Sequence, residues 1–406
     1  MVVIDAGRVL DGTGETALRD ARLVVDDEGR IKAVGPAEDV SVPDDADHHT
    51  FPEKTVVPGL IDAHLHLQGN RSMNMMDWVT DSDALSAARA TADLRDLAAS
   101  GFTSVRDAGS TTGTALRQAV AEGDVTGPRV FTSGQALSQT GGHGDVHSLP
   151  FDWVAEGEVT ISTLADGPTE CRREVRKRLR EGADLIKIMT TGGVLSERDA
   201  PDQTQFTEAE VSAMVEEAHR AGRPVASHAQ GTPGIKLALE NGVDTIEHGF
   251  YIDDEAIDLF LETGAVFVPT LAIMHQITAH GADFGVPEHA LEKARAAAEA
   301  HVESTTRAYD AGVPIATGTD FLGAELVPHG ENALEAELLV EKIGMTEAEA
   351  VASATGVAAE ALPTDDVGTL EPGQFADFAV LDGNPHDDIT ALRDVTATFK
   401  GGEQIA

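Results

Sequence analysis

Apolar and polar positions follow a repeating pattern through the middle of the chain. From about residue 56, a short apolar run is followed by a loop rich in Gly, Asp, Ser and Thr, and then by a helical stretch. Helical stretches such as TECRREVRKRLREG and TEAEVSAMVEEAHRAG carry apolar residues three and four positions apart and end at glycine. Strands that alternate with helices in this way are typical of α/β proteins with parallel sheets.

The repeating unit occurs eight times. Its apolar runs read TVVPGLIDAHLHL, GFTSVRDAG, PRVFTSG, DLIKIMTTGG, RPVASHAQG, DTIEHG, AVFVPT and VPIATGTD. Eight β-then-α units predict a (β/α)8 TIM barrel, which we assign to residues 57–365. A doubly wound open sheet is the alternative, but no G-x-G-x-x-G follows the first run. Residues 271–300 form a long insertion after the seventh run, which we interpret as a lid or a subunit-contact element.

Both ends of the chain show a different pattern, with short strand-like runs separated by turns. ARLVVDDEGRIKAVG is an example near the start, and TLEPGQFADFAVLDGNP and DVTATFKGGEQIA are examples near the end. Two strand-rich ends that bracket a barrel can pair with each other. We therefore predict a small, discontinuous β-sandwich domain made of residues 1–56 and 366–406.

Composition restricts the setting and the partners. The single Cys171 excludes a disulfide framework within the chain and favours a reducing compartment. The start of the chain shows no signal-peptide pattern, and no run approaches the length of a membrane span, so we expect a cytoplasmic protein. With 29 basic and 70 acidic residues, the net charge of −41 would repel nucleic acid and anionic membranes. Acids dispersed in this way are typical of proteins from salt-loving organisms.

Polar residues at the ends of the apolar runs suggest a metal site, because the carboxyl ends of barrel strands form the catalytic face. His64 and His66 end the first run in an H-x-H pattern that places both imidazoles on one face of a strand. His228, His248 and Asp320 end the fifth, sixth and eighth runs. Any one of these histidines could be an ordinary core residue. Together they offer nitrogen and oxygen ligands without thiolate, a set that suits zinc, manganese or a similar divalent ion.

Lys187 in the fourth run, DLIKIMTTGG, is an unusual residue for a buried strand. A lysine in such a place can pair with a carboxylate or extend to the surface. Burial also lowers the pKa of an amine, and a neutral amine can capture carbon dioxide as a carbamate. A carbamate has two oxygens that can bridge two cations about 3.5–4 Å apart, a typical spacing in two-metal sites.

These motifs resemble the amidohydrolase superfamily of metal-dependent hydrolases. The resemblance rests on PGLIDAHLHL, IKIMTTGGVLS, HAQG, TIEHG, ATGTD and the tail GTLEPGQFADFAVLDGNP, and so extends over nearly the whole chain. The sequence is most similar to the branch of imidazolonepropionase-related enzymes that includes Xaa-Pro dipeptidases with a carboxylated lysine. That branch implies a homo-oligomer that acts on a small molecule.

The resemblance implies a role for each candidate residue. His64, His66 and Asp320 would hold the more buried of two divalent ions, expected to be zinc, and His228 and His248 the more exposed one. Carboxylated Lys187 and a hydroxide would bridge the two ions. Asp320 would also serve as the general acid–base residue that transfers the proton of the water to the leaving nitrogen.

Two further residues are candidates for contact with the substrate. His143 lies in the glycine-rich QTGGHGDVH loop, where the equivalent histidine of relatives contacts the substrate carbonyl or carboxylate. Gln230 departs from the family pattern, because dipeptidase-like relatives often have a tyrosine there that helps to hold a substrate carboxylate. His329 and Asn332 in HGEN could line the pocket or cap a helix.

The resulting prediction is a binuclear hydrolase that cleaves a C–N amide bond in Xaa-Pro dipeptides or N-acyl amino acids. One alternative is a mononuclear cyclic amide hydrolase or deaminase, similar to imidazolonepropionase. Lactone or phosphotriester hydrolysis on the same metals is another, and a scaffold protein without activity is a third. Because all six ligand positions carry competent residues, the enzyme hypothesis is favoured over the scaffold.

Overall fold

The computed structural model describes residues 1–14, 17–155 and 161–406. It is an α/β structure in which strands alternate with helices from about residue 60 onward. The strands are β1 Val2–Leu10, β2 Ala17–Val25, β3 Ile31–Pro36, β4 Asp47–Pro58, β5 Leu60–Leu65, β6 Phe102–Asp107, β7 Arg129–Thr132, β8 Ala136–Ser138, β9 Ser162–Leu164, β10 Ile186–Met189, β11 Val225–Ala229, β12 Thr245–His248, β13 Val266–Val268, β14 Phe378–Leu381, β15 Val395–Lys400 and β16 Glu403–Gln404.

Along the chain, most helices connect successive parallel strands. They are α1 Met75–Thr80, α2 Asp83–Ala99, α3 Gly113–Ala121, α4 Phe151–Ala155, α5 Pro168–Glu181, α6 Glu208–Arg220, α7 Thr232–Glu240, α8 Asp254–Thr263, α9 Leu271–His280, α10 Glu288–Asp310, α11 Leu334–Leu338, α12 Glu347–Ser353 and α13 Gly356–Glu360. A π-helical turn spans Leu339–Ile343 and a 3-10 helix spans Ile389–Arg393. No helix in the described ranges is both long and apolar enough to cross a bilayer.

The two ends of the chain share one seven-stranded sheet, in the order β16-β15-β14-β4-β1-β2-β3. The N-terminal and C-terminal parts meet where β14 pairs antiparallel with β4, so that Phe378 lies opposite Pro58. Alternating apolar residues such as Ile4, Leu23 and Phe399 form a separate buried cluster against this sheet. Residues from both ends therefore lie in one sheet. The exact domain bounds and the description of this part as a β-sandwich remain predictions.

Parallel strands form the larger part of the structure, in a six-stranded sheet ordered β13-β12-β11-β10-β8-β9 and a three-stranded sheet ordered β5-β6-β7. The register of β10, β11 and β12 places Met189 beside His228 and Ala229 beside His248. Because parallel strands end at one edge, this register brings the polar strand ends together. The third apolar run forms β7, and a second short strand, β8, follows it after Gly134, which adopts the left-handed region (φ 59°).

The eighth apolar run, predicted as a strand, forms no continuous ladder. It makes single parallel bridges, from Ile315 to Phe267 and from Phe321 to Leu65. The ladder is interrupted because the backbone N–H of Ala316 donates to Phe267 whereas that of Thr317 donates to Ser353, outside any strand. These bridges nevertheless connect β13 of the larger sheet with β5 of the smaller one.

Candidate metal-dependent active site

All eight residues predicted to form the site line one cavity of about 390 Å³. They are His64, His66, His143, Lys187, His228, Gln230, His248 and Asp320. His64, His66 and Asp320 also place possible ligand atoms within 4.8 Å of one another. In contrast, His329 and Asn332 are not among the lining residues. Asn332 instead donates to Asp62 (2.6 Å) and Thr319 (3.1 Å), which ties the ends of the first and eighth runs together.

The hydrogen bonds of the first two histidines define which ring nitrogen is free. His64 Nδ1 lies 2.5 Å from Glu247, and His66 Nδ1 lies 2.7 Å from the carbonyl oxygen of Gly109. A carboxylate and a carbonyl can only accept, so each Nδ1 donates and each neutral ring keeps a lone pair on Nε2. These two Nε2 atoms lie 3.5 and 3.0 Å from the same Asp320 oxygen. Lone pairs so close to a carboxylate require a proton or a cation between them.

His228 and His248 show the same arrangement on the neighbouring strand ends. His228 Nε2 donates to the carbonyl oxygen of Gly192 (3.0 Å), which leaves Nδ1 with the lone pair. Thr270 uses its hydroxyl hydrogen on Pro269, so His248 Nδ1 donates to Thr270 (2.8 Å) and Nε2 keeps the lone pair. Burial lowers the pKa of both histidines well below the usual value, so both are neutral at pH 7. Neutral imidazoles fixed by a second hydrogen bond are the usual protein ligands of a metal ion.

Lys187 lines the same cavity and has no hydrogen-bond partner among the described residues. Its side chain is 3% exposed, and burial lowers the pKa of its amine to about 8. At that pKa about one amine in ten is neutral at pH 7. An isolated buried ammonium would be costly, so the environment favours either the neutral amine or a modified form that gains partners. This orphaned atom and the four lone-pair nitrogens fit a centre that binds divalent cations.

The sequence did not predict a buried ion pair that contacts the ligand candidate His64. Arg106 on β6 donates to both oxygens of Glu247 on β12 at 2.8 and 2.9 Å, and Glu247 in turn accepts from His64. Both side chains are almost completely buried. Burial raises the pKa of Glu247, but Arg106, Lys187 and His64 outweigh it and hold that pKa below its usual value. The available signal for this ion pair in the sequence was a charged residue within an apolar run, Arg106 in SVRD and Glu247 in TIEH.

Backbone strain is concentrated at three successive strand ends. His248, Thr270 and Asp320 all adopt the left-handed region, with φ of 75°, 57° and 58°. Side chains other than glycine rarely occupy this region, and each instance costs about 1–2 kcal/mol. Such strain is typical of residues whose exact direction matters for function. Here His248 and Asp320 are predicted ligands, and Thr270 is the hydrogen-bond partner of His248.

Comparison with known proteins supports the same conclusion. Residues 55–405 match the Amidohydrolase family. The ochratoxinase of Aspergillus niger is 34% identical over 424 aligned positions, which cover 99% of this chain and 86% of that protein. The crystal structure of that enzyme has a TM-score of 0.90 with this chain, and the match covers 99% of this chain and 95% of the ochratoxinase chain.

Two dipeptidase structures are similar over the same extent. A Xaa-Pro dipeptidase with bound methionine in its active site shares 34% identity and a TM-score of 0.90, with 99% of both chains covered. A prolidase complexed with N-methylphosphonate-L-proline shares 37% identity and a TM-score of 0.91, with 99% of this chain and 98% of that one covered. The predicted resemblance is therefore confirmed.

Proposed function

The chain belongs to the amidohydrolase family and is a hydrolase that acts on carbon–nitrogen bonds, and from this premise we propose a binuclear metal-dependent amidase. Its substrates would be Xaa-Pro dipeptides or N-acyl amino acids. The observation that carries the proposal is one cavity lined by four lone-pair histidine nitrogens, by Asp320 and by Lys187, whose amine has no hydrogen-bond partner in the described part of the chain. We further propose that the single bridges of the eighth run close the two parallel sheets into a (β/α)8 barrel.

Each residue has a defined part in this proposal. His64, His66 and Asp320 would hold one divalent ion, expected to be zinc, and His228 and His248 would hold the second. The neutral amine of Lys187 would attack carbon dioxide, form an N–C bond and release a proton to solvent. The resulting carbamate would bridge the two sites with its two oxygens. When bound, the ions would supply the Lewis acidity that activates water and polarises the substrate carbonyl.

The proton transfer is assigned to Asp320. Burial raises the pKa of this carboxyl, but when a proton on the Nε2 atoms of His64 and His66 takes the place of a cation, the hydrogen bonds and charges of these rings outweigh burial and hold the pKa well below its usual value. The residue is therefore a carboxylate, able to accept the proton of the attacking water. It would then deliver this proton to the leaving nitrogen, so that the amide breaks into a carboxylate and an amine.

The walls of the cavity suit an amide with an apolar acyl or amino acid side chain. Met73 and Trp78 line one part of it, and Ile273 and Met274 of α9 line another. These last two residues belong to the long insertion after the seventh run, which would therefore shape the substrate site. The ochratoxinase and prolidase similarities support an amide substrate of this kind.

Metal analysis combined with an activity screen tests the proposal. Protein loaded with zinc should contain two ions per chain and hydrolyse Xaa-Pro dipeptides or N-acyl amino acids. Lys187→Ala should lose one ion and most of its activity, and bicarbonate with a short carboxylic acid should partly restore both. Lys236→Ala, which removes a lysine that pairs with Asp253 and Glu255 and does not line the cavity, is the matched control.

Three results would contradict parts of the proposal. Full activity with one ion per chain would support a mononuclear enzyme instead. After growth in ¹³C-bicarbonate, the lack of a carbamate carbon signal that depends on Lys187 would exclude the carbamate. Turnover of lactones or phosphotriesters but of neither amide class would remove the substrate assignment.

A further inference from the structure

The His143 side chain is enclosed between a metal-ligand candidate and a glycine. Its ring stacks on that of His228, with centroids 4.2 Å apart and planes 21° apart. The ring also packs against Gly193, where an added Cβ would lie 2.2 Å from His143 Cε1. The ring therefore has little freedom to move. Its direction is fixed by packing, and its hydrogen bonds decide what it presents to the cavity.

A chain of two hydrogen bonds links His143 to a carboxylate. His143 Nδ1 lies 2.9 Å from Ser196 Oγ, and the Ser196 hydroxyl makes a short hydrogen bond to Asp199. The Asp199 carboxylate and the Gly193 carbonyl oxygen (3.2 Å) can only accept, so the single hydroxyl hydrogen of Ser196 goes to one of them, and the shorter contact assigns it to Asp199. Ser196 Oγ must then accept from His143 Nδ1–H. The neutral ring consequently keeps its lone pair on Nε2, which has no hydrogen-bond partner in the described part of the chain.

Asp199 holds the rest of this loop as well. Its other oxygen accepts from Gln205 Nε2 (3.0 Å), and Gln205 Oε1 accepts the backbone N–H of His143 (2.9 Å). Lys293 Nζ lies 3.6 Å from Asp199 and donates to the carbonyl oxygens of Gly193, Ser196 and Asp199 at 3.0, 2.6 and 2.6 Å. Lys293 lies on α10, within the long insertion, so this insertion anchors the loop that orients His143.

We propose that Asp199 and Ser196 are positioning residues that hold His143 in its Nδ1–H tautomer, so that Nε2 accepts a hydrogen bond from the substrate. This inference rests on the proposed amide hydrolysis and specifies the kind of amide. With only a lone pair on Nε2, His143 cannot donate a hydrogen bond to a carbonyl or carboxylate oxygen, the partners expected from the resemblance. His143 stacks on His228 beside the ligand cluster, and we assign the N–H of the amide to be cleaved as the donor. Secondary amides, as in N-acyl amino acids, are then preferred over the tertiary amide of Xaa-Pro dipeptides.

The tautomer can be measured without any substrate. In zinc-loaded protein with ¹⁵N-labelled histidine, His143 is assigned by comparison with His143→Asn. We expect Nδ1 to resonate as a protonated nitrogen and Nε2 as an unprotonated one. In Asp199→Asn the amide can donate to Ser196, whose hydroxyl hydrogen is then shared between His143 and the carbonyl oxygen of Gly193 (3.2 Å), so some ring protonated on Nε2 should appear. Ser196→Ala, which removes the acceptor of His143 Nδ1–H, should show the same change. Asp202→Asn removes an exposed carboxylate from the same segment and should leave the spectrum unchanged.

Kinetics test the consequence for the substrate. Ser196→Ala should raise KM for an N-acyl amino acid about 3- to 10-fold with little change in kcat, the effect of one neutral hydrogen bond. Ser196→Thr, which keeps the hydroxyl, should restore KM, and N-methylation of the substrate amide should abolish the difference between Ser196→Ala and the unsubstituted enzyme.

The outcomes separate this inference from the proposed function. A protonated Nε2 in the unsubstituted protein, or an unchanged tautomer in Ser196→Ala, would overturn the inference even if amides are hydrolysed. Equal kcat/KM for the secondary and N-methylated amides would overturn the acceptor role. If no amide is hydrolysed, the proposed function fails, and with it the assigned substrate donor, while the spectrum still decides the tautomer.

Discussion

Replacement of Glu247 by glutamine tests how the buried ion pair supports the metal centre. The substitution keeps the shape of the side chain but removes its charge, which leaves Arg106 buried without a counter-charge. It also replaces the acceptor for His64 Nδ1, which lies 2.5 Å away. We expect two separate effects, one on the stability of the fold and one on metal affinity.

Both magnitudes follow from the geometry. Removal of one partner from a buried ion pair costs about 3–5 kcal/mol. Unfolding of 406 residues has an entropy of about 0.85 kcal/mol/K, so the melting temperature should fall by about 4–6 °C. Loss of the partner that orients a metal-binding histidine typically weakens metal affinity about 10- to 100-fold. This range corresponds to about 1.4–2.7 kcal/mol of binding free energy.

The assays are a thermal melt of the metal-free protein and a zinc titration with a chelating indicator. Glu216→Gln is the matched control, because it makes the same substitution in an Arg–Glu ion pair that is largely exposed, the pair with Arg172. An exposed pair contributes only about 0–1 kcal/mol, so its replacement should change the melting temperature little. If Glu247→Gln kept both the melting temperature and the zinc affinity, the ion pair would have no role in either, and our reasoning would be wrong.

Two further predictions follow from single contacts. Gly193→Ala places a Cβ 2.2 Å from the His143 ring, so the ring must move; we expect a large loss of kcat/KM with retained zinc content, and unchanged kinetics would contradict the predicted clash. The pKa of Glu335 is raised from 4.5 to about 8, so its neutral form is favoured by folding and its contribution to stability is lost as the pH rises through that range. Glu335→Gln should therefore become more stable relative to the unsubstituted protein between pH 5 and pH 9, and a constant difference in melting temperature would contradict this assignment.

The sequence predicted the members of the cavity better than the interactions that hold them. His64, His66, His228 and His248 were recognisable because polar residues at the ends of apolar strands stand out, and parallel strands bring their ends together. Lys187 was recognisable because a charge within a buried strand is unusual. The irregular eighth run was not predictable, since its backbone donors alternate between three elements: Ala316 donates to Phe267 of β13, Thr317 to Ser353 of α12 and Asp320 to His64 of β5.

The supporting residues could not be paired from the sequence because their separations are long. Arg106 and Glu247 are 141 positions apart, and Asp62 and Asn332 are 270 apart. A local pattern shows that each is polar in an apolar setting, but it carries no information about which distant residue is its partner. Lys293 is an extreme case, because on a helix of the insertion it looks like any solvated lysine, yet it donates to three loop carbonyls.

The strained strand ends explain why so many buried polar contacts surround this site. Left-handed backbone at His248, Thr270 and Asp320 costs about 3–6 kcal/mol in total. Each of these residues is held by a contact with a neighbouring element. The Asp320 N–H donates to the His64 carbonyl oxygen (2.7 Å), and Glu335 accepts the N–H groups of Leu271 and Ala272 directly after Thr270 (2.9 and 2.7 Å). His248 is bonded to Thr270 in turn. A substitution at Glu335 that removes both acceptor oxygens should therefore disturb His248 through Thr270, although Glu335 does not line the cavity.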